Sequence, residues 1–446
     1  MAEADGRGVV VNGTQPTQRA AVVLRDGGVT WLVALAGDIR RLGLTPLLVS
    51  GPAGPADWRR LTDAYERAVR VDDPTDAAQV AAAAKTMAEG AALAGVVTGS
   101  DGVVVTAAEA SALLGLGGPD PAALARTRNK YAARRTLASA GLSTPRFALL
   151  DSADAVDRVA VEVGFPAIVK PLNGTASHGV RRVEGPAELA DAYRQLTARL
   201  PEAMDGLYRR PLPTTDGPLD PTRVLLVEEV LEGREYCVDV VLRDGVPEPA
   251  VLVDKFLVDE RFFEQGFLWP AELPEPGQEA LRRAAVAGVT ALGLDRTVAH
   301  VELIDDRRRG PTIIEVNPGR PGGQLLPRLN ELVTGIDLTT EYLALHLDLP
   351  RPRRGPAALP MPLATLTVFG HGTGRVVAVH GLDEVRELPD VIDIVTAIEP
   401  GYVLTGEHEV FAVNVLVDAA DGAEAVRELY ATVVDLVHLE LEPVDD

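Results

Sequence analysis

Apolar runs and turn residues alternate regularly over the first hundred or so positions. The run at 20–25 (AAVVLR) is a short apolar strand ending at Asp26-Gly27-Gly28, and 29–43 carries the three-to-four residue spacing of a helix. TPLLVS at 45–50 reads as a strand, 75–94 as an alanine-rich helix, GVVTG at 95–99 as a strand and 107–114 as a further helix. Strands alternating with helices predict a parallel sheet covered on both faces. The Asp26-Gly27-Gly28 turn lacks the spacing of a dinucleotide fingerprint and reads as a structural βα turn.

From Pro121 the texture changes. The stretch 126–147 predicts one basic amphipathic helix ending at Gly141, then a strand. A capped helix at 152–164 precedes a strand, polar loop and strand at 165–183, and a helix follows at 187–200. Residues 201–223 are turn-rich and long for an internal loop. Strands at 223–231 and 235–242 flank Glu232-Gly233-Arg234, and a helix at 278–293 leads into two apolar runs joined by a charged turn, 305–310. That last pattern is an antiparallel hairpin, followed by two short helices. Pro-rich 349–362 is a natural boundary, beyond which strands and turns lead to a final helix at 422–437. The expected organisation is a loose tail (1–18), an α/β unit (19–120) and a central unit (121–348) with a closing lid at about 144–230. A linker (349–362) and a small α+β unit (363–446) complete it.

Composition narrows the classes. At 446 residues and 46% hydrophobic content the chain can bury several cores. A formal charge of -22 argues against nucleic-acid or anionic-membrane partners. An anionic ligand would need locally placed cations. The single cysteine, Cys237, excludes an internal disulfide and a cysteine-based zinc cluster. No apolar run approaches membrane-spanning length and the first residues lack signal-peptide texture, so a cytoplasmic location is expected.

The hairpin carries the strongest candidate chemistry. His300 and Glu302 share one strand face, as do Glu315 and Asn317. Two carboxylates and an amide oxygen form a hard-oxygen set suited to Mg²⁺, although a salt-bridged surface hairpin has the same composition. Lys170 ends an apolar strand before the small, polar loop 173–179, where a lysine and free backbone N–H groups could clamp phosphate, and Lys130 supplies a second cation. In LVEEVLEGRE, a backbone hinge after Glu228 and Glu229 could meet adenine's edge, and Glu235 could hold ribose hydroxyls.

In order, NK at 129–130, IVKP at 168–171, VEEVLEGRE at 227–235, HVE at 300–302 and IIEVNPG at 313–319 resemble the ATP-grasp superfamily. Within it the chain looks most like the L-amino-acid (dipeptide) ligases. The resemblance implies a multidomain chain mixing α/β and α+β structure. An ATP-grasp fold would be preceded by a Rossmann-like parallel α/β domain and followed by a small α+β domain. It further implies ATP and two Mg²⁺ ions, with Mn²⁺ as an alternative, and a homodimer. Lys130 and Lys170 would contact phosphates under a loop containing Ala176, Ser177 and His178. Glu228, Glu229, Val230 and Leu231 would read adenine, Glu235 would hold ribose, and Glu302, Glu315 and Asn317 would hold metal. Glu264, Trp269, His300, Arg320, Gly322 and Gly323 would border small-molecule acid and amine substrates, with Arg320 and Lys170 as catalytic cations.

Two departures stand out. Arg320 lies five residues after Glu315, where the family pattern has an arginine at four. The segment 262–274 has Gly266-Phe267-Leu268-Trp269-Pro270 in place of Gly-His-x-x-Pro, so Phe262, Phe267 and Trp269 either pack in the core or form a large apolar wall at the substrate, with Trp269 limiting substrate size. The expected reaction is ATP-dependent joining of a carboxylate to an amine through an acyl phosphate. The alternatives are a thiol acceptor, biotin-carboxylase-like chemistry and a non-catalytic ATP-binding module.

Overall fold

The computed structural model describes residues 19–25, 30–175, 177–201, 210–260, 262–323, 325–359, 361–404 and 410–444. The tail at 1–18, the Asp26-Gly27-Gly28 turn and Ala176 lie outside the described residues.

The N-terminal unit runs β1 (Arg19–Arg25), α1 (Thr30–Arg41), β2 (Thr45–Ser50), α2 (Pro55–Ala64), β3 (Arg67–Arg70), α3 (Ala77–Ala88), β4 (Ala92–Thr98) and α4 (Val104–Leu113). The sheet is parallel in the order β3-β2-β1-β4. Residues 20–25 of β1 are all buried, as a strand covered on both faces requires. The turn between β4 and α4 is a single 3₁₀ turn, Asp101–Val103.

The predicted single basic helix is two helices, α5 (Pro121–Arg128) and α6 (Lys130–Ser139). Asn129 leaves the helical region (φ -81°, ψ 99°), ends α5 and caps α6 by accepting from the Ala132 N–H. An asparagine side chain offers the backbone this competing hydrogen bond, which breaks the helix without proline or glycine. The break places Lys130 at the first position of α6, where its N–H donates to the Leu172 carbonyl at 2.8 Å.

A small antiparallel sheet follows: β5 (Phe147–Leu150), α7 (Val156–Val163), β6 (Ala167–Pro171), β7 (Arg181–Val183), α8 (Pro186–Arg199) and β8 (Leu225–Glu229), in the order β5-β8-β6-β7. The large sheet begins with β9 (Gly233–Arg243), β10 (Val246–Val258) and β11 (Glu264–Trp269). After α9 (Glu275–Ala291) come β12 (Thr297–Asp306) and β13 (Gly310–Pro318), then α10 (Leu326–Thr334) and α11 (Leu338–His346). The C-terminal segment supplies β14 (Leu363–Phe369), β15 (Gly374–His380), α12 (Leu382–Arg386), β16 (Val391–Thr396), β17 (Val403–Leu404), β18 (Phe411–Asp418), α13 (Ala423–Leu436) and β19 (His438–Glu442).

Eight of these strands form one sheet in the order β13-β12-β9-β10-β11-β14-β18-β16. The large sheet therefore runs on past the Pro-rich segment, with β11 pairing β14 from Gly266–Leu366 to Trp269–Leu363. Residues 264–269 of the 262–274 segment are thus an interior strand of the large sheet. The parallel sheet, the antiparallel central sheet and the small α+β segment together have the expected fold class.

Candidate active site

The hairpin and the strands beside it build one wall of a cleft of about 400 Å³. In the β12–β13 ladder His300 stands opposite Asn317 and Glu302 opposite Glu315, so all four side chains share the cleft face. A register shift after Glu302 leaves Ile314 as an extra residue, and Ile314 and Glu315 both reach the cleft. A bulge re-aims side chains in this way. β9 and β10 extend the face, with Glu302 opposite Cys237 and Ile304 opposite Glu235.

Each candidate carboxylate has a cation. Lys130 pairs with Glu315. Lys255 is buried among three acids: it donates to Glu235 at 2.5 Å and to Glu302 at 2.8 Å, and pairs with Glu264. Buried charges survive only with such partners. Burial would raise the Glu302 carboxyl, but Lys255 and His300 hold it at about 2. Glu235 goes the other way: burial raises it, and Lys255 only partly offsets this. Burial pulls Lys255 down, yet the surrounding Glu235, Glu264 and Glu302 carboxylates raise it well above the lysine range. Glu235, Glu264 and Glu302 bring oxygens within 4.8 Å of one another. Asn317 donates to Glu302 at 3.0 Å and accepts from Arg128 at 3.1 Å. Oxygen donors on two paired strands at one cleft wall suit a hard cation such as Mg²⁺.

At the opposite wall Lys170 of β6 lies 2.6 Å from Glu228, which also pairs with Arg134. Burial would push the Glu228 carboxyl up, but Arg134 and Lys170 hold it at about 2. The Glu228 side chain is thus committed to aiming Lys170. Glu229 accepts from the Arg146 backbone N–H at 2.7 Å and its guanidinium at 2.9 Å, and pairs with Arg309. Val230 and Leu231 reach the cleft at the end of β8. Ser177 and His178 line the rim, and Ser177 Oγ donates to the Phe262 carbonyl at 2.9 Å.

At the far end, Arg320 lines the cleft. It follows Gly319, whose φ of +86° turns the chain out of β13, so strand parity no longer sets the arginine's direction. His300 Nδ1 bonds Asp239 Oδ1 at 2.8 Å. A Cβ on Gly322 would meet that ring nitrogen at 2.8 Å, so Gly322 is a close-approach position against His300, whereas Gly323 lines the cleft. Trp269 lies off the cleft wall and packs on the cluster containing Leu325, Leu332 and Leu363. Phe267 of the same strand, 1% exposed, does line the cleft, with Phe262, Leu326 and Phe411.

Several of these residues escaped sequence reading. Lys255 sits in VPEPAVLVDKFLV, where two prolines disguise a strand. Asp101, Arg128 and Arg134 look like ordinary surface charges in a sequence, and Phe411 comes from the segment that seemed to carry no site.

Residues 163–328 match the family model of the ATP-grasp domain. Over that stretch the chain is similar to ATP-grasp domains. A Sinorhizobium fredii protein of uncharacterized function is 25% identical over 390 residues, 86% of this chain and 75% of its own. A D-alanine–D-alanine ligase of Aromatoleum aromaticum is 26% identical over 232 residues, 51% of this chain and 67% of its own. Among solved structures, the L-amino acid ligase of Bacillus licheniformis has a TM-score of 0.76 at 21% identity, covering 96% of this chain and all of that one. The biotin carboxylase domain of a Hydrogenobacter thermophilus 2-oxoglutarate carboxylase has a TM-score of 0.71 at 16% identity, covering 96% and 92%. At these identities the structural likeness concerns the fold. No helix among the described residues is long and apolar enough to cross a membrane.

Proposed function

We propose that this chain is an ATP-dependent carboxylate–amine ligase that activates a small carboxylic or amino acid as an acyl phosphate and transfers the acyl group to an amine. The observation that carries the reading is the joint placement of Lys130, Lys170, Glu302, Glu315, Asn317 and Arg320 on one cleft. The β8 end with Val230 and Leu231 suits an adenine, and Lys130 and Lys170 suit a polyphosphate. Glu302, Glu315 and Asn317 would hold Mg²⁺, which would offset phosphate charge during transfer.

The chain's own groups then divide the work. Lys170, oriented by Glu228, neutralises charge on the transferred phosphoryl group. Lys130 and Lys255 each stand against a carboxylate of the metal set and hold it in position, and Lys255 keeps Glu302 ionised. Arg320 holds the substrate carboxylate by its planar fork. Glu264, a partner of Lys255, would anchor an ammonium. The loop bearing Ser177 covers the phosphate region, where exclusion of water protects an acyl phosphate from hydrolysis.

The test is ADP release with Mg²⁺ and ATP across amino and hydroxy acids, singly and in pairs, with mass spectrometry of products. Condensed products of acid and amine support the reading. ADP release that responds to bicarbonate or a thiol instead, or to no acceptor, rejects it.

A further inference from the structure

Asp101 opens the 3₁₀ turn after β4 and belongs to the parallel-sheet unit. Among the described residues lining the cleft, it alone precedes residue 121. Arg320 occupies both its carboxylate oxygens: Nε donates to Oδ1 at 2.9 Å and Nη2 to Oδ2 at 2.6 Å. Arg320 Nη1 donates to the Pro321 carbonyl at 3.0 Å. On the other side Arg128 Nη1 lies 4.0 Å from Asp101 Oδ1 and bonds Asn317 Oδ1 at 3.1 Å. One acid thus links the arginine at the substrate end to the amide on the metal-donor strand. Burial alone would push the Asp101 carboxyl up, but Arg320 and Arg128 hold it well below the usual carboxylate range, so it stays ionised.

An arginine on the loop after Gly319 would otherwise sample many rotamers, and its entropy would be lost on binding each substrate. The two-bond fork fixes the guanidinium plane instead. A guanidinium has five N–H groups, and the bonds described use three. Asp101 between two arginines also leaves a net charge of +1, enough to attract one carboxylate.

We propose that Asp101 is a positioning residue, contributed by the parallel-sheet unit, that sets the Arg320 fork so that its remaining N–H groups meet the substrate carboxylate. The inference rests on the ligase reading above. It makes the N-terminal unit part of the acyl end of the site.

The test uses the full chain with Asp101→Asn, Asp101→Ala, Asp101→Glu, Arg320→Ala and the Asp101→Ala/Arg320→Ala pair. Once a productive acid is found, Asp101→Ala and Asp101→Asn lower kcat/KM for that acid by about tenfold or more, with the KM for ATP changing less than about threefold. Asp101→Glu recovers part of the loss, and the double variant is no worse than Arg320→Ala, as expected for residues acting as one unit. An equal rise in the KM for ATP, or additive losses, overturns the proposal. So does a fall in the KM for the acid, which would mark Asp101 as a place-holder that substrate must displace. The rate of Arg320 modification by phenylglyoxal, read by mass spectrometry, needs no turnover: loss of Asp101 speeds it, and an unchanged rate overturns the proposal. If the wild-type chain releases no acid-dependent ADP, the ligase reading fails, while Arg320 reactivity still decides the Asp101–Arg320 relationship.

Discussion

Glu302 and Glu315 stand directly opposite each other on β12 and β13, yet a different lysine answers each. Lys255 donates to Glu302 at 2.8 Å, and Lys130 pairs with Glu315. Lys255 and His300 keep Glu302 ionised, and Lys130 holds Glu315 in place across the ladder.

Glu315→Ala removes one of the proposed metal donors and releases Lys130. The expected outcome is loss of at least about nine-tenths of the Mg²⁺-dependent turnover, or ~1.4 kcal/mol in barrier terms. Far-UV circular dichroism should be unchanged. A variant that keeps more than about a tenth of the rate at saturating Mg²⁺ would show that Glu315 is not a metal donor.

Lys255→Met keeps most of the length of the side chain and removes its charge. Glu235, Glu264 and Glu302 are then left close together without their cation. Breaking a buried ionic group costs about 3–5 kcal/mol, so the melting temperature at neutral pH should fall sharply. A carboxyl whose pKa is raised on folding binds its proton first in the folded state, so stability rises as pH falls through that pKa. The variant should therefore regain stability towards mildly acidic pH relative to wild type. A pH-independent deficit in melting temperature would show that the loss is one of packing.

Glu228→Gln tests the opposite sign. The Glu228 carboxyl falls from the ordinary 4.5 to about 2 in the folded chain. Its contribution is present above pH 4.5 and is lost as pH falls towards 2. That shift corresponds to a ceiling on the order of 3 kcal/mol. The variant should be less stable than wild type at neutral pH, with the gap closing below about pH 3. It should also raise the KM for ATP, because Lys170 loses its partner. Unfolding curves that stay parallel from neutral to acid pH would contradict the pairing.

Much of the fold was legible because apolar periodicity and glycine punctuation carry it. β1, β2, β4, the hairpin and the closing helix all follow from local pattern. The Asn129 break was not legible, since an asparagine that caps a helix and one within it look alike in sequence. β10 hid behind Pro247 and Pro249, and its buried Lys255 looked like a surface charge. Pairings such as Asp101 with Arg320 span 219 positions and exist only once the parallel sheet docks on the large one. The resemblance named the ends of the cleft. It could not say that the Glu228 side chain serves Lys170, because that role depends on Arg134 arriving from α6.

Trp269 and Phe267 separate stability from specificity on a single strand. The sequence leaves Trp269 between core packing and a substrate wall; it packs on the apolar cluster that contains Phe267, Leu325, Leu332 and Leu363, and of the two aromatics only Phe267 also reaches the cleft. Both side chains point to the same face of β11, two positions apart, so the difference is one of distance along the strand and not of orientation. Trp269 is only partly buried on that cluster, so Trp269→Ala should cost less stability than the roughly 3–5 kcal/mol of a fully buried aromatic, lowering the melting temperature without reordering substrates. Phe267→Leu is the milder change in volume and should shift the ranking of acids or amines by side-chain size. A hydrophobic pocket discriminates by only about 1–3 kcal/mol per methylene, so the shift should be graded across a homologous series. Melting temperature and relative kcat/KM, measured on both variants with the same series, decide the matter. A reordered series in Trp269→Ala with an intact melting temperature would return Trp269 to the substrate wall, and an unaltered order in Phe267→Leu would remove Phe267 from it.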